Sequence, residues 1–122
     1  MSSPPPLHQQ NKLRRLEQLY GKLKRPLAAI GYVFPGSIAK RFMPCGKSSC
    51  RCATDPSRRH GPYYEWSRKV GGKTVTVRLT ADQARLYAGW IDNRRKFKKI
   101  MARMQTVSIQ VARVLADTRL PR

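Results

Sequence analysis

The sequence predicts an α+β fold, a small antiparallel sheet of about three strands with a zinc-knuckle-like loop, packed by an N-terminal helix and a long C-terminal helix. Three observations predict it. Apolar residues recur at three- and four-residue spacing from Leu7, two alternating segments meet at Gly71-Gly72, and a proline-free helical run follows Thr80. At 122 residues the chain has the size of one domain, expected over 7–116, with a disordered lead over 1–6 and a tail over 117–122.

Leu13, Leu16, Leu19, Tyr20 and Leu23 mark an amphipathic helix over 7–24, with Lys12, Arg14, Arg15, Lys22 and Lys24 on its outer face. Pro26 excludes helical geometry from the residue before it and ends the helix near Lys24. Residues 25–36 hold Leu27, Ile30, Tyr32, Val33 and Phe34 between prolines and glycines, which reads as a packed connector without regular structure. Ser37–Met43 alternates loosely as a short strand. The segments 63–70 and 73–79 alternate more strongly, and Gly71-Gly72 between them supplies the two positive-φ residues of a tight hairpin. Thr80 and Gln83 then form a capping box, with Asp82 placed to favour a helix N-terminus. A helix over 81–116 would be roughly 54 Å long, so part of it must project or pair with the first helix or with a second copy. Its Val107, Ile109, Val111 and Val114 lower helical propensity towards the end. Trp90 is expected in the core where this helix crosses the sheet.

Lys and Arg number 26 against 6 Asp and Glu, a formal charge of +20. With 40% hydrophobic residues the chain can still bury a core, so it is not a disordered basic tail. Folding this charge stores self-repulsion that a polyanion relieves, and nucleic acid is the first candidate partner. The carboxylates Glu17, Asp55, Glu65, Asp82, Asp92 and Asp117 are scattered, which speaks against two-metal phosphodiester chemistry and against paired-acid glycosidases. No apolar run of membrane-spanning length or signal-peptide core is present, so a cytoplasmic protein is expected, nucleoid-associated if it binds DNA.

Cys45, Cys50, Cys52 and His60 follow the spacing C-x4-C-x-C-x7-H. Thiolate sulfur and imidazole nitrogen are the ligands Zn²⁺ prefers, and four of them close a tetrahedral structural site. Lys47 and Arg51 would stabilise the thiolates. An odd number of cysteines in eight residues does not suit a secreted disulfide framework. Three readings stand side by side: a structural zinc site, three reduced thiols with His60 hydrogen-bonded at the start of a strand, and a redox pair or another metal. Asp55 is the substitute ligand for His60, and His8 lies too far off near the N-terminus.

Cys45-Gly46-Lys47-x-x-Cys50-x-Cys52, His60-Gly61-Pro62-Tyr63-Tyr64, the Gly-Gly-Lys hairpin and the long basic helix resemble a family of small uncharacterised prokaryotic proteins. That family carries a CGKxxCxC…HGPYY signature, and some members sit in mobile-element contexts. The resemblance covers about residues 36–104. It implies that the four ligands and the hairpin form one module, with the tails and the valine-rich end outside it, and it brings no activity with it.

Two basic segments stand out. From Asn93 to Arg103 the long helix carries Arg94, Arg95, Lys96, Lys98, Lys99 and Arg103 with no acid between them, whereas a solvated helix face ordinarily intersperses acids at i, i+4. The second is a patch of Arg58 and Arg59 before the hairpin and Arg68, Lys69, Lys73 and Arg78 on it. Strand alternation puts Tyr64 and Trp66 on one face, where they either stack bases or form the sheet's own core. The expected function is non-catalytic nucleic-acid binding, DNA favoured over RNA, as a mobile-element accessory factor or regulator. The alternative is an RNA-binding or protein-assembly component of a larger complex, with a homodimer formed through Met101, Met104, Val111 and Leu115. Tyr63 or Tyr64 beside His60, or a thiolate beside it, would need further ligands or an orienting acid to act as a nucleophile.

Overall fold

A computed structural model describes residues 5–119, with side chains through Asp117. Helix α1 spans Leu7–Lys24, and a 3₁₀ turn follows at Arg25–Ala29. Strand β1 is Ser37–Met43, β2 is His60–Val70, β3 is Lys73–Leu79, and helix α2 is Ala81–Arg119. The sheet is antiparallel throughout in the order β1-β2-β3. This is the predicted architecture, with three differences in extent. The connector after α1 begins with a 3₁₀ turn, β2 starts at His60 instead of Tyr63, and α2 runs on to Arg119. Residues 1–4 of the expected lead and 120–122 of the tail lie outside the described residues.

Pro62 accounts for the hidden start of β2. A proline inside a run argues against a strand unless it sits at an edge or a bulge. Here the register shifts between Arg41 and Met43, opposite Pro62, and residues before Tyr64 have no β3 partner, so no ladder hydrogen bond is lost on that side. At the other end Val70 pairs with Lys73 across a two-residue turn in which Gly71 has φ +55° and Gly72 φ +80°. Both values belong to the type I′ turn, whose twist matches that of the flanking strands. The capping box forms as expected: the Gln83 N–H donates to Thr80 Oγ1 at 3.1 Å, and the Thr80 N–H donates to Gln83 Oε1 at 3.0 Å.

The chain falls into two compact units. One comprises Tyr32–Arg94, the other the chain through Gly31 together with Arg95 onward. In the first, Ile38, Tyr64 and Trp66 share the sheet face turned towards α2, where Ile38 and Tyr64 line a cleft with Ala81, Ala84 and Ala88. Phe34 stacks on Trp66 at 4.6 Å between centroids and meets Tyr87 at 4.9 Å, while Tyr87 stacks on Trp90 at 5.2 Å. Two hydrogen bonds hold the connector to the helix: the Phe34 N–H donates to the Trp90 carbonyl at 3.2 Å, and the Asn93 side-chain Nδ2 donates to the Tyr32 carbonyl at 2.9 Å. Leu79, Ala84 and Ile91 are buried in the same unit. The opposite sheet face is polar, with a Ser67–Thr76 hydroxyl bond of 2.8 Å and an Arg41–Glu65 ion pair of 3.3 Å.

In the second unit, Leu16 and Tyr20 of α1 line a cleft with Val111, and Leu19 and Leu23 line another with Val107. Val107 and Val114 are buried. Packing of an apolar stripe outweighs the modest helical penalty of β-branched residues, which explains how α2 continues through its valine-rich end. No described helix is long and apolar enough to cross a membrane.

Candidate metal centre

The cysteine segment leaves the end of β1 and returns to the start of β2. Met43 and His60 are register partners there, so the sheet itself brings His60 back to the point where the chain departed. Between them the Cys50 N–H donates to the Lys47 carbonyl at 3.1 Å, closing a turn. A 3₁₀ turn over Arg51–Ala53 then supplies the local bend that two ligands spaced C-x-C require. A second short turn over Pro56–Arg58 is capped by Asp55, whose carboxylate accepts from the Ser57 N–H at 3.0 Å and from the Ser57 hydroxyl at 2.7 Å.

These turns bring Cys45, Cys50, Cys52 and His60 together, with all four potential ligand atoms within 4.8 Å of one another. Cys52 Sγ lies 3.5 Å from Cys45 Sγ, and Cys50 Sγ lies 3.4 Å from His60 Nε2. A tetrahedral ion with metal–sulfur bonds near 2.3 Å separates its ligand atoms by about 3.5–3.8 Å, so these two pairs have nearly the spacing of tetrahedral edges. The Cys45 N–H donates to Cys52 Sγ at 3.3 Å, which ties the two ends of the segment together. The four residues can therefore hold a metal ion, and Asp55 is engaged elsewhere.

The cysteines differ in environment. The Cys50 thiol is held below the usual thiol value, first by the Cys52 backbone N–H and then by the thiols of Cys52 and Cys45. The Cys52 thiol is raised: the Cys45 backbone N–H pulls it down, but burial and the neighbouring thiols outweigh that pull. Cys52 is 2% exposed and belongs to the core of its unit, whereas Cys45 is exposed and Cys50 half-buried.

The basic residues take several situations. Arg58 reaches Asp55 at 3.9 Å, and Arg59 and Lys73 are exposed. On the hairpin, Arg68 lies over the Trp66 ring at 4.2 Å and Arg78 over the Tyr63 ring at 4.5 Å. Lys69 and Arg94 line a common cleft with Arg68. Arg95, Lys96, Lys98 and Lys99 are exposed along α2, and Arg103 borders the cleft that holds Leu19 and Leu23. Tyr64 lines the cleft under α2, and the Trp66 ring is taken up by Phe34 and Arg68.

The model of a family described as a domain of unknown function, DUF6788, matches residues 10–88. The chain belongs to the DUF6788 family. The DUF6788 segment takes in nearly all of α1, the whole sheet and the four clustered residues, so the N-terminal helix lies inside the family's extent, while the basic stretch Arg94–Arg103 lies beyond it. No curated protein and no solved structure shows significant similarity to this DUF6788 chain.

Sequence reasoning passed over Arg41, which pairs with Glu65, and the hydroxyls of Ser37, Ser67 and Thr74, which line the cleft with Lys69 and Arg94. The alternation of β1 carried a signal for Arg41. Nothing in the sequence places residues 37, 67, 74 and 94 side by side, since that neighbourhood depends on strand register and on the path of α2.

Proposed function

We propose that this DUF6788 protein binds nucleic acid without catalysing a reaction, DNA in preference to RNA, and that its cysteine–histidine cluster holds a structural zinc ion. The observation that carries the reading is the distribution of charge. Of the few carboxylates, those of Asp55, Glu65 and Asp82 each sit beside an arginine, while Arg94–Arg103 contains no acid at all. A surface so unbalanced gains free energy when phosphates replace solvent and their condensed counterions are released. Arg95, Lys98 and Lys99 on the helix, and Lys69, Lys73 and Arg78 on the hairpin, are the proposed phosphate contacts. The resemblance to proteins in mobile-element contexts suits an accessory factor or regulator.

Salt dependence tests this. Engagement of ~5–8 phosphates of B-DNA gives a log–log slope of affinity against salt of about −4.5 to −7. A slope near zero, or no binding at low salt, overturns the reading. RNA with the same slope and higher affinity reverses the preference.

The donor set supports zinc: three sulfurs and one nitrogen with no carboxylate among them. Four protein ligands leave no open position for substrate, which makes the ion structural. Protein purified without added metal should contain about one zinc per chain, and Cys50→Ser should abolish it. Full metal content in that variant, or none in the parent, sinks the assignment.

An assembly role is favoured by one observation: Phe97, Met101 and Ile109 of α2 are exposed. Absorbance ratio and nuclease digestion of the purified protein separate the cases, since an assembly component need carry no nucleic acid.

A further inference from the structure

β2 runs past the beginning of β1. Ser37 pairs with Ser67, and Arg68, Lys69 and Val70 have no partner on that side. Beside this step in the sheet lies a cleft of about 410 Å³ that is also lined by Arg94 of α2. Its polar lining is of two kinds: the cations Arg68, Lys69 and Arg94, and the hydroxyls of Ser37, Ser67 and Thr74. Among the described residues no carboxylate lines it. Among the described residues none of its three cations has an ion pair, although Arg41, Arg58 and Arg85 each have one.

The cleft is held ready. The Arg68 guanidinium is kept over the Trp66 ring, which limits the rotamers it must give up on binding. Lys69 and Thr74 are register partners and share one sheet face with Ser67, whose hydroxyl is oriented by Thr76. The start of β1 is tied to β2: Trp66 Nε1 donates to the Pro35 carbonyl at 2.8 Å, and Gly36, at φ +92°, lies so close to β2 that a Cβ would collide with the Ser67 carbonyl oxygen. Strand alternation sends Arg68 and Lys69 to opposite faces of β2, so the cleft takes in the strand's open edge. Like charges lining one cleft without a counter-charge favour an anion, and short hydroxyl donors beside arginine match the oxygens of a phosphate.

We infer that this cleft seats a phosphate group, with Lys69 and Arg94 neutralising it and the Ser37 and Thr74 hydroxyls donating to its oxygens. The inference rests on the nucleic-acid reading for the origin of that phosphate, either an internal phosphodiester or a terminal phosphate. Lys69→Gln and Arg94→Gln in the full chain test it, since Arg68 also packs on Trp66 and its loss would confound folding. Unchanged circular dichroism and tryptophan fluorescence establish that the variants are folded. Each variant should reduce the magnitude of the salt slope by about 1 on a 5′-hydroxyl oligonucleotide if the occupant is an internal phosphodiester. If the occupant is a terminal phosphate, the parent should prefer a 5′-phosphorylated oligonucleotide, and Arg94→Gln should erase that preference. Parental slopes and affinities for both oligonucleotides in both variants overturn the inference. Should the parent bind no oligonucleotide, the proposed function fails, and inorganic phosphate alone decides the cleft. Shifts of the Arg68 and Arg94 side-chain N–H resonances on phosphate addition support it, and their absence overturns it.

Discussion

Cys50 and Cys52 stand two residues apart and are prepared for different chemistry. Cys50 is half-buried with its thiol lowered, first by the Cys52 backbone N–H, and Cys52 is buried with its thiol raised. In metal-free protein near neutral pH, Cys50 should therefore be alkylated by iodoacetamide well before Cys52, because the thiolate is the nucleophile and needs access. Mass spectrometry of partially modified protein gives the order, and equal rates would contradict the environments described. Bound metal should protect both. At Gly36 the backbone decides: alanine would combine a positive φ with a Cβ in contact with the Ser67 carbonyl and the Trp66 indole. Gly36→Ala should cost ~1–3 kcal/mol in urea unfolding. The four clustered residues were legible in the sequence because ligand chemistry and short spacing act locally. Gly36 was visible only as one more glycine in a connector, since the strand that crowds it is thirty residues away.

Among the elements, α2 shows how local signals set a start without setting an end. Its first turn is written out in Thr80 and Gln83, which bond to each other's backbone N–H groups. Thr80→Ala should lower stability by about 1 kcal/mol by chemical denaturation, and a loss below a few tenths would show that the cap is redundant. The far end carries no comparable stop signal before Pro121, and α2 continues past the expected residue 116 to Arg119. β2 presents the converse case. Its hairpin end was legible from the Gly-Gly pair, whereas its beginning was obscured by Pro62, which the bulge in the β1–β2 pairing accommodates. The short turns at Arg51–Ala53 and Pro56–Arg58 had no periodicity to reveal them.

For the whole molecule, spectroscopy can treat the two units separately. Both tryptophans of the chain, Trp66 and Trp90, belong to the unit formed by Tyr32–Arg94, together with the cysteine cluster. Most helical residues, all of α1 and α2 from Arg95, belong to the other. Metal chelation, or Cys50→Ser, should thus lower the thermal midpoint seen by tryptophan fluorescence more than the midpoint seen by circular dichroism at the helical band. Coincident shifts would mean that the units unfold as one. The charge of +20 was readable from composition alone, but its division between an acid-free helix and a stepped sheet required the strand register. That register has one more consequence. His60 is both a member of the cluster and the partner of Met43. A slip of one residue between β1 and β2 would carry it ~3.3 Å along the strand, out of reach of Cys50, and would turn Tyr64 and Trp66 away from α2. The cluster and the sheet therefore share one alignment, and an error in either would undo the other.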